Sequence, residues 1–212
     1  MSRPLLIALD SIAPQAWRNG GGSTRELYAW PAGPLWRWRI SVAEITQDGP
    51  FSAYHDVDRI FAVIDGAGVR LKMPDATEQE LLMASAPLFF AGEAAPDCRL
   101  IDGPTRDLNL MSQRGAGRST MQRAAVGQAW VSAAPLRALF TAEVLSLKID
   151  GQAPLAMTAS TLAISPHAAH ERWQVLVPMR SPALQSSSSQ SAAAPLQAWW
   201  LDFLPAAVED RR

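Results

Sequence analysis

The chain has 212 residues, enough to bury a sizeable core as one large domain or as two smaller fused ones. Its 19 Lys and Arg nearly balance its 20 Asp and Glu, leaving a formal net charge of -1, so no charge excess points to nucleic acid or an anionic membrane as partner. Cys98 is the sole cysteine, which excludes an internal disulfide and fits a reducing compartment, where a lone thiol behaves as a small buried hydrophobe.

Near the N-terminus the apolar run Leu5 to Leu9 is too short for a signal-peptide core or a membrane span, so a soluble cytoplasmic protein is expected. Next comes Trp17-Arg18-Asn19-Gly20-Gly21-Gly22-Ser23-Thr24-Arg25-Glu26. Three consecutive glycines lose much backbone entropy on ordering and belong where the chain turns tightly or approaches another group closely. The indole, guanidinium, carboxamide, hydroxyl and carboxylate groups around them suit a polar pocket floor in which Arg18 or Arg25 clamps a carboxylate. A glycine-rich turn ahead of a strand explains the same residues, and both readings stay open. Known phosphate motifs do not fit: no Lys precedes Ser23 or Thr24, and Arg25 stands where a dinucleotide-binding turn needs its third glycine.

From Leu35 to Ile45 the residues alternate, with Trp36, Trp38, Ile40 and Val42 on one side and Arg37, Arg39, Ser41 and Ala43 on the other, which predicts a strand. After the break at Asp48-Gly49-Pro50, the apolar runs Ile60 to Ile64 and Val69 to Met73 flank Asp65-Gly66 and predict a β-hairpin. Leu88-Phe89-Phe90 and Arg99-Leu100-Ile101 read as short strands. Further on, Asp107, Asn109 and Met111 share one face of a strand and Leu108 and Leu110 the other. If the leucines fill the space between sheets, Asp107 and Asn109 are solvated; if a barrel is open inside, those two line it. The solvated version is the simpler expectation.

The loosening at Gly115-Ala116-Gly117-Arg118-Ser119 marks a boundary between halves, 1–115 and 116–212. Beyond it Glu143 to Ile149, Thr161 to Ile164, Trp173 to Val177 and Leu196 to Phe203 read as further strands, so both halves are expected to be all-β. The Ala-rich segment after Pro166 has room for one helical turn. The Ser-rich tract at 181–195 reads as a mobile surface loop and Pro205 to Arg212 as a frayed tail.

Only His55, His167 and His170 are available for histidine chemistry. His167-Ala168-Ala169-His170-Glu171 matches neither zinc-peptidase order, and a metal site needs three or four supported ligands, so it reads as an exposed turn. No Gly-x-Ser-x-Gly elbow occurs. Glu26, Glu44 and Asp107 are the carboxylates to consider for proton transfer.

Four blocks in order now resemble the HutD/Ves family: Trp17 to Glu26; Trp38-Arg39-Ile40-Ser41-Val42-Ala43; Gly49-Pro50-Phe51-Ser52 with Asp58-Arg59; and Asp107-Leu108-Asn109-Leu110-Met111 with Arg114. They span roughly residues 14 to 115. The chain departs from the family where Phe-Ser-x-Phe-Pro-Gly is usual, having Phe51-Ser52-Ala53-Tyr54-His55-Asp56 instead. The resemblance implies a cupin-like double-stranded β-helix, two barrels packed as a bicupin, in a cytoplasmic protein. It also implies a link to histidine utilisation, in which the protein senses a metabolite such as urocanate or formylglutamate. Some family members are described as stress-responsive. A metal-dependent cupin would show two histidines and a glutamate in one barrel motif, whereas the first half has only His55, so neither metal nor other cofactor is expected.

The expected function is therefore non-catalytic binding of a carboxylate metabolite in the first half, with a homodimer left open. Arg39 and Arg59 are expected as carboxylate partners, and Asn19, Ser41 and Asn109 as polar contacts that orient the ligand. Thr24 and Arg25 are expected on the pocket wall, and Asp107 either orients an arginine or accepts from the ligand. Two other classes compete. One is a metal-independent enzyme acting on an imidazole or formyl compound, with Glu26, Glu44 or His55 moving a proton. The other is an interaction protein that docks a partner through exposed Trp199 or Trp200.

Overall fold

The computed structural model describes residues 3–177 and 195–207. The Ser-rich loop expected at 181–195 lies, except for Pro195, outside the described residues, as does the tail from 208. Pro205 itself closes the last strand rather than beginning a frayed end.

Strands are numbered along the chain. A six-stranded antiparallel sheet runs β2 (Gln15–Ala16), β3 (Gly22–Trp30), β4 (Trp38–Ile45), β11 (Thr105–Gln113), β6 (Val57–Asp65) and β9 (Leu88–Ala91). Against it lies a four-stranded sheet of β5 (Gly49–Pro50), β10 (Asp97–Leu100), β7 (Val69–Lys72) and β8 (Glu78–Leu81). The later part of the chain repeats the scheme. A five-stranded sheet runs β1 (Leu5–Ala8), β17 (Thr161–Ser165), β14 (Leu136–Thr141), β19 (Ala198–Pro205) and β12 (Gly117–Arg123). Its four-stranded companion is β13 (Ala129–Trp130), β18 (Trp173–Leu176), β15 (Leu145–Ile149) and β16 (Leu155–Met157). The N-terminal β1 pairs with β17, so the first strand of the chain completes a sheet built otherwise from residues beyond 116. Among the described residues the only helical pieces are two 3-10 turns, Leu9–Ser11 and Gly92–Ala94, and no helix is long and apolar enough to cross a membrane.

Period-two alternation gives each central strand two jobs. Trp38, Ile40 and Val42 of β4, Leu108 and Leu110 of β11, and Ala62 and Ile64 of β6 meet Ala138, Phe140, Leu162, Ile164, Leu201 and Phe203 in one core between the two large sheets. There Trp38 stacks on Phe203 at 6.0 Å between ring centroids. The opposite faces of the same strands look toward the small sheet, where Ile45, Phe61, Val63, Leu71 and Cys98 form a second core. A third core, centred on Trp130, Trp173 and Trp200, fills the other sheet pair. Each fully buried side chain of this size contributes roughly 1.5–3 kcal/mol.

Two expectations about turns are corrected. Asp65-Gly66 does not close a hairpin, because β6 and β7 belong to different sheets and the chain crosses between them there. Gly66 has φ +92°, and a Cβ on it would lie 2.6 Å from the Pro104 carbonyl oxygen, so the glycine serves a close crossing. Gly117 is likewise not loop but the first residue of β12. A Cβ there would meet the Leu204 oxygen at 2.4 Å, so packing against β19 selects the glycine. Trp199 and Trp200 are 0% and 3% exposed, so neither indole can dock a partner from the surface.

Candidate functional site

The inner face of the six-stranded sheet carries the polar residues. Register sets Arg39, Met111, Arg59 and Phe90 in one cross-strand row, Ser41, Asn109 and Phe61 in the next, and Thr24, Ala43, Asp107 and Val63 in a third. With adjacent strands about 4.8 Å apart, Arg39 and Arg59 stand on backbones about 10 Å apart, either side of β11. A cavity of about 600 Å³ opens over these rows. That is the size of a typical small-molecule site.

Of the residues expected at the site, Asn19, Thr24, Arg39, Ser41, Arg59, Asp107 and Asn109 all line this cavity. Arg25 does not. It alternates with Thr24 on β3 and sends Nε to the Ile12 carbonyl at 2.9 Å, bracing the N-terminal segment. The solvated version of Asp107 and Asn109 is also corrected. Leu108 and Leu110 do fill the space between sheets, yet Asp107 and Asn109 are 1% and 4% exposed, because the small sheet covers their face.

Arg59 is 5% exposed. Its Nη2 donates to Asn109 Oδ1 at 2.7 Å, while Nε is buried without a hydrogen-bond partner among the described residues. Its guanidinium lies among three rings, with centroids at 5.1 Å for Phe51, 5.0 Å for Phe90 and 5.8 Å for Tyr54. Burial lowers its pKa to about 10, and neighbouring Asp107 opposes that shift. Asn109 also donates from Nδ2 to Asp107 Oδ1, so one amide spans the two ionisable groups. The other oxygen of Asp107 has no partner among the described residues, and burial raises this carboxyl to about 8 against the pull of Arg59 and Asn109. Burial thus pushes Asp107 toward its protonated form, which leaves less negative charge beside the Arg59 cation.

The remaining wall is less buried. Arg39 donates from Nε to Glu26 Oε2 at 2.7 Å. The Trp17 indole donates to Thr24 Oγ1 at 2.8 Å, and Asn19 Oδ1 accepts from the Gly21 amide at 3.1 Å. A Cβ on Gly22 would sit 2.3 Å from the Glu44 carbonyl oxygen and 3.0 Å from the Trp17 ring. The glycine triplet is therefore a close-approach element that also seats a cavity-lining indole. The Trp17 indole lines the cavity, as the pocket-floor reading of its stretch expected, whereas Phe51, Tyr54 and Met111 were not singled out from the sequence as site residues, although Phe51 and Met111 fall inside the recurring blocks. Their signal there was apolar, which a core residue gives equally well.

Of the proton-transfer candidates, Glu26 is paired to Arg39 and Glu44 to Arg106 at 3.8 Å, while His55 is exposed on the loop after β5. His170 stands in a left-handed turn at φ +64°, its amide bonded to the Ser132 carbonyl. Among the described residues no cluster of three or more His, Cys, Asp or Glu has metal-holding geometry.

The sheets and cavity define an all-β protein with a cupin-like fold and an arginine-bearing, small-molecule-sized pocket. Bacillus subtilis oxalate decarboxylase shows that fold at a TM-score of 0.59 and 7% identity, over 98% of this chain and 79% of that one. The chain belongs to the HutD family, whose model matches residues 10–179. HutD from Pseudomonas fluorescens SBW25 superposes with a TM-score of 0.77 at 24% identity, covering 96% of this chain and 99% of that one. An uncharacterized 21.2 kDa protein in the hutC 3' region of Pseudomonas putida is 33% identical over 124 residues, 58% of this chain and 65% of that protein. Protein Ves of Cronobacter sakazakii is 35% identical over 107 residues, 50% of this chain and 59% of its own. The chain thus spans somewhat under two thirds of the length of these two relatives.

Proposed function

We propose that this chain is a non-catalytic, small-molecule-binding protein with a sensing role in histidine utilisation, a bicupin whose first barrel (1–115) holds a carboxylate-bearing metabolite such as urocanate or formylglutamate. In this reading residues 116–212 form the second, degenerate barrel, and the protein acts in the cytoplasm without metal, nucleic acid or membrane. One observation carries it. Arg59 is a guanidinium buried at a cavity wall, among the described residues hydrogen-bonded only from Nη2 and without a partner at Nε, beside Asp107, whose carboxyl burial raises to about 8. A buried charge in that state is stabilised by an anion entering the cavity. Arg39, across β11, is the second carboxylate partner, and Asn19, Ser41 and Asn109 supply the orienting contacts. The hutC-region setting of the Pseudomonas putida relative supports the pathway.

Either compound is expected to raise the melting temperature by binding the folded state selectively, with matching heat in calorimetric titration. No heat and no thermal shift with either compound, on folded protein, would remove this reading.

A second reading has one observation in its favour. Asp107 lines the cavity at 1% exposure, its Oδ2 without a partner among the described residues, and burial raises its carboxyl to about 8, the direction that the acid of a metal-independent enzyme needs. Incubation with urocanate and formylglutamate followed by mass spectrometry separates the two, because turnover belongs to the enzyme alone.

A further inference from the structure

Resting on the reading of the cavity as a carboxylate site, we infer that Arg114 is its positioning residue: from outside the cavity it holds the loop between β5 and β6, and through Tyr54 it fixes the guanidinium of Arg59.

Among the described residues Arg59 is hydrogen-bonded on one side only, at Nη2. The rest of its setting is aromatic, and two of the three rings, Phe51 and Tyr54, ride on the β5–β6 loop. That loop has few anchors of its own. The Phe51 amide bonds to the Pro96 carbonyl and the Tyr54 amide to the Gly92 carbonyl, each at 3.0 Å. Where the loop returns to β6, Asp56 adopts φ +56°, a left-handed conformation that costs a non-glycine residue about 1 kcal/mol. Something must hold it.

The holding group is a fork centred on Arg114. Its amide donates to the Asp56 carbonyl at 2.7 Å. Its Nη1 and Nη2 reach Glu93 Oε1 and Oε2 at 3.1 and 3.0 Å, and Nη2 also reaches Asp58 Oδ1 at 3.1 Å. Glu93 Oε1 accepts from the Asp56 amide as well, at 2.7 Å. One arginine therefore joins the end of β11, the turn after β9, the return of the loop to β6 and the residue next to Arg59 in sequence. These groups are half exposed, and solvated ion pairs add little to global stability. What the fork controls is geometry. It closes the loop so that the Tyr54 ring lies against Arg59, while Arg114 itself is absent from the cavity wall. Gly92 permits the same closure, since a Cβ there would meet the Tyr54 oxygen at 2.5 Å.

The test compares Arg114→Gln and Arg114→Lys in 15N-labelled protein, reading the Arg59 Nε–H signal by NMR, with urocanate and N-formylglutamate as binding probes. Arg114→Gln is expected to speed hydrogen exchange at Arg59 Nε–H at least tenfold, leave the urea midpoint near that of the wild type and weaken binding of whichever probe the wild type binds about tenfold. Arg114→Lys restores part of each effect. Tyr54→Ala reproduces the exchange effect, and adding Arg114→Gln to it changes exchange less than a further twofold. An Arg59 signal unmoved by Arg114→Gln, or effects of Arg114→Gln and Tyr54→Ala that multiply independently, would overturn the inference. If the wild type binds neither probe, the proposed function fails and the exchange cycle still decides the role of Arg114.

Discussion

Asn109 accepts from Arg59 Nη2 at 2.7 Å through its oxygen and donates to Asp107 through its nitrogen, so a single amide sets the spacing of the two ionisable groups in the cavity wall. Asn109→Ala leaves a buried guanidinium nitrogen and a buried carboxyl oxygen without partners. At about 1–3 kcal/mol for each orphaned group, the expected loss is about 2 to 6 kcal/mol in urea denaturation. Carboxylate binding should weaken at least tenfold as Arg59 loses its tether. A loss of binding with unchanged stability would show that Asn109 contacts ligand without organising the wall.

Asp107 makes the protein pH-dependent in a definite direction. Its folded pKa is raised to about 8, so between pH 4 and 8 the folded state keeps a proton that the unfolded chain releases. Stability therefore declines as pH rises through that window and levels off above about 8. Asp107→Asn should flatten this slope and leave the variant about 2 kcal/mol or more above the wild type at pH 7 in urea titrations. Anion binding has its own signature. Above about pH 8 the ionised Asp107 competes with the ligand for Arg59, so affinity falls by up to about tenfold per pH unit in the wild type and stays flat in Asp107→Asn.

Much of this site was legible as side-chain type and little of it as environment. Alternation in β4 and β11 correctly assigned Arg39, Ser41, Asp107 and Asn109 to one set of faces and Ile40, Val42, Leu108 and Leu110 to the other. Alternation cannot say whether a polar face meets water or a covered cavity, because the period is two in both cases. The deciding element was the small sheet containing β10 and β7, whose place over β4 and β11 depends on long-range pairing. The crossing at Asp65-Gly66 shows the same limit. An Asp-Gly turn fits a hairpin locally, and only the facing sheet shows that the chain changes layers. β14 went unread because Leu136 to Thr141 is buried on both faces and lacks alternation, as a central strand between two cores must. Arg25 was misplaced by one residue of register, since Thr24 beside it does line the cavity.

Gly22 offers a backbone test of the glycine triplet. A Cβ would lie 2.3 Å from the Glu44 carbonyl oxygen, which belongs to the paired strand and cannot swing aside. Gly22→Ala is expected to cost about 2 kcal/mol or more and to displace Trp17, lowering ligand affinity as well. Gly49→Ala is the control. Nothing lies within 4 Å of its Cβ position, and its thermal midpoint should stay within about 0.5 kcal/mol equivalent of the wild type.

Arg137 is the counterpart that separates a ligand-ready arginine from a structural one. It is 0% exposed, donates from Nη1 to the Ala168 carbonyl at 2.8 Å and from Nη2 to the Trp130 carbonyl at 3.1 Å, and lies 4.1 Å from the Trp130 ring and 5.0 Å from Trp173. Nη1 also reaches the Glu171 carbonyl, so both terminal nitrogens are occupied by backbone. Burial lowers its pKa to about 10 while Glu171 and Asp202 hold it up, much as burial and Asp107 act on Arg59. Electrostatics alone would rank the two arginines together; only the occupancy of their nitrogens differs. Arg137→Ala empties the space between two indoles and orphans the carbonyls, for an expected loss of about 3 to 5 kcal/mol in urea denaturation. Arg137→Met should recover part of that by refilling the volume. At temperatures where these variants remain folded, their carboxylate affinity should equal that of the wild type, whereas Arg59→Met should lose it. Equal loss of binding in Arg137→Met and Arg59→Met would mean that the ligand does not depend on the Arg59 guanidinium at the cavity wall.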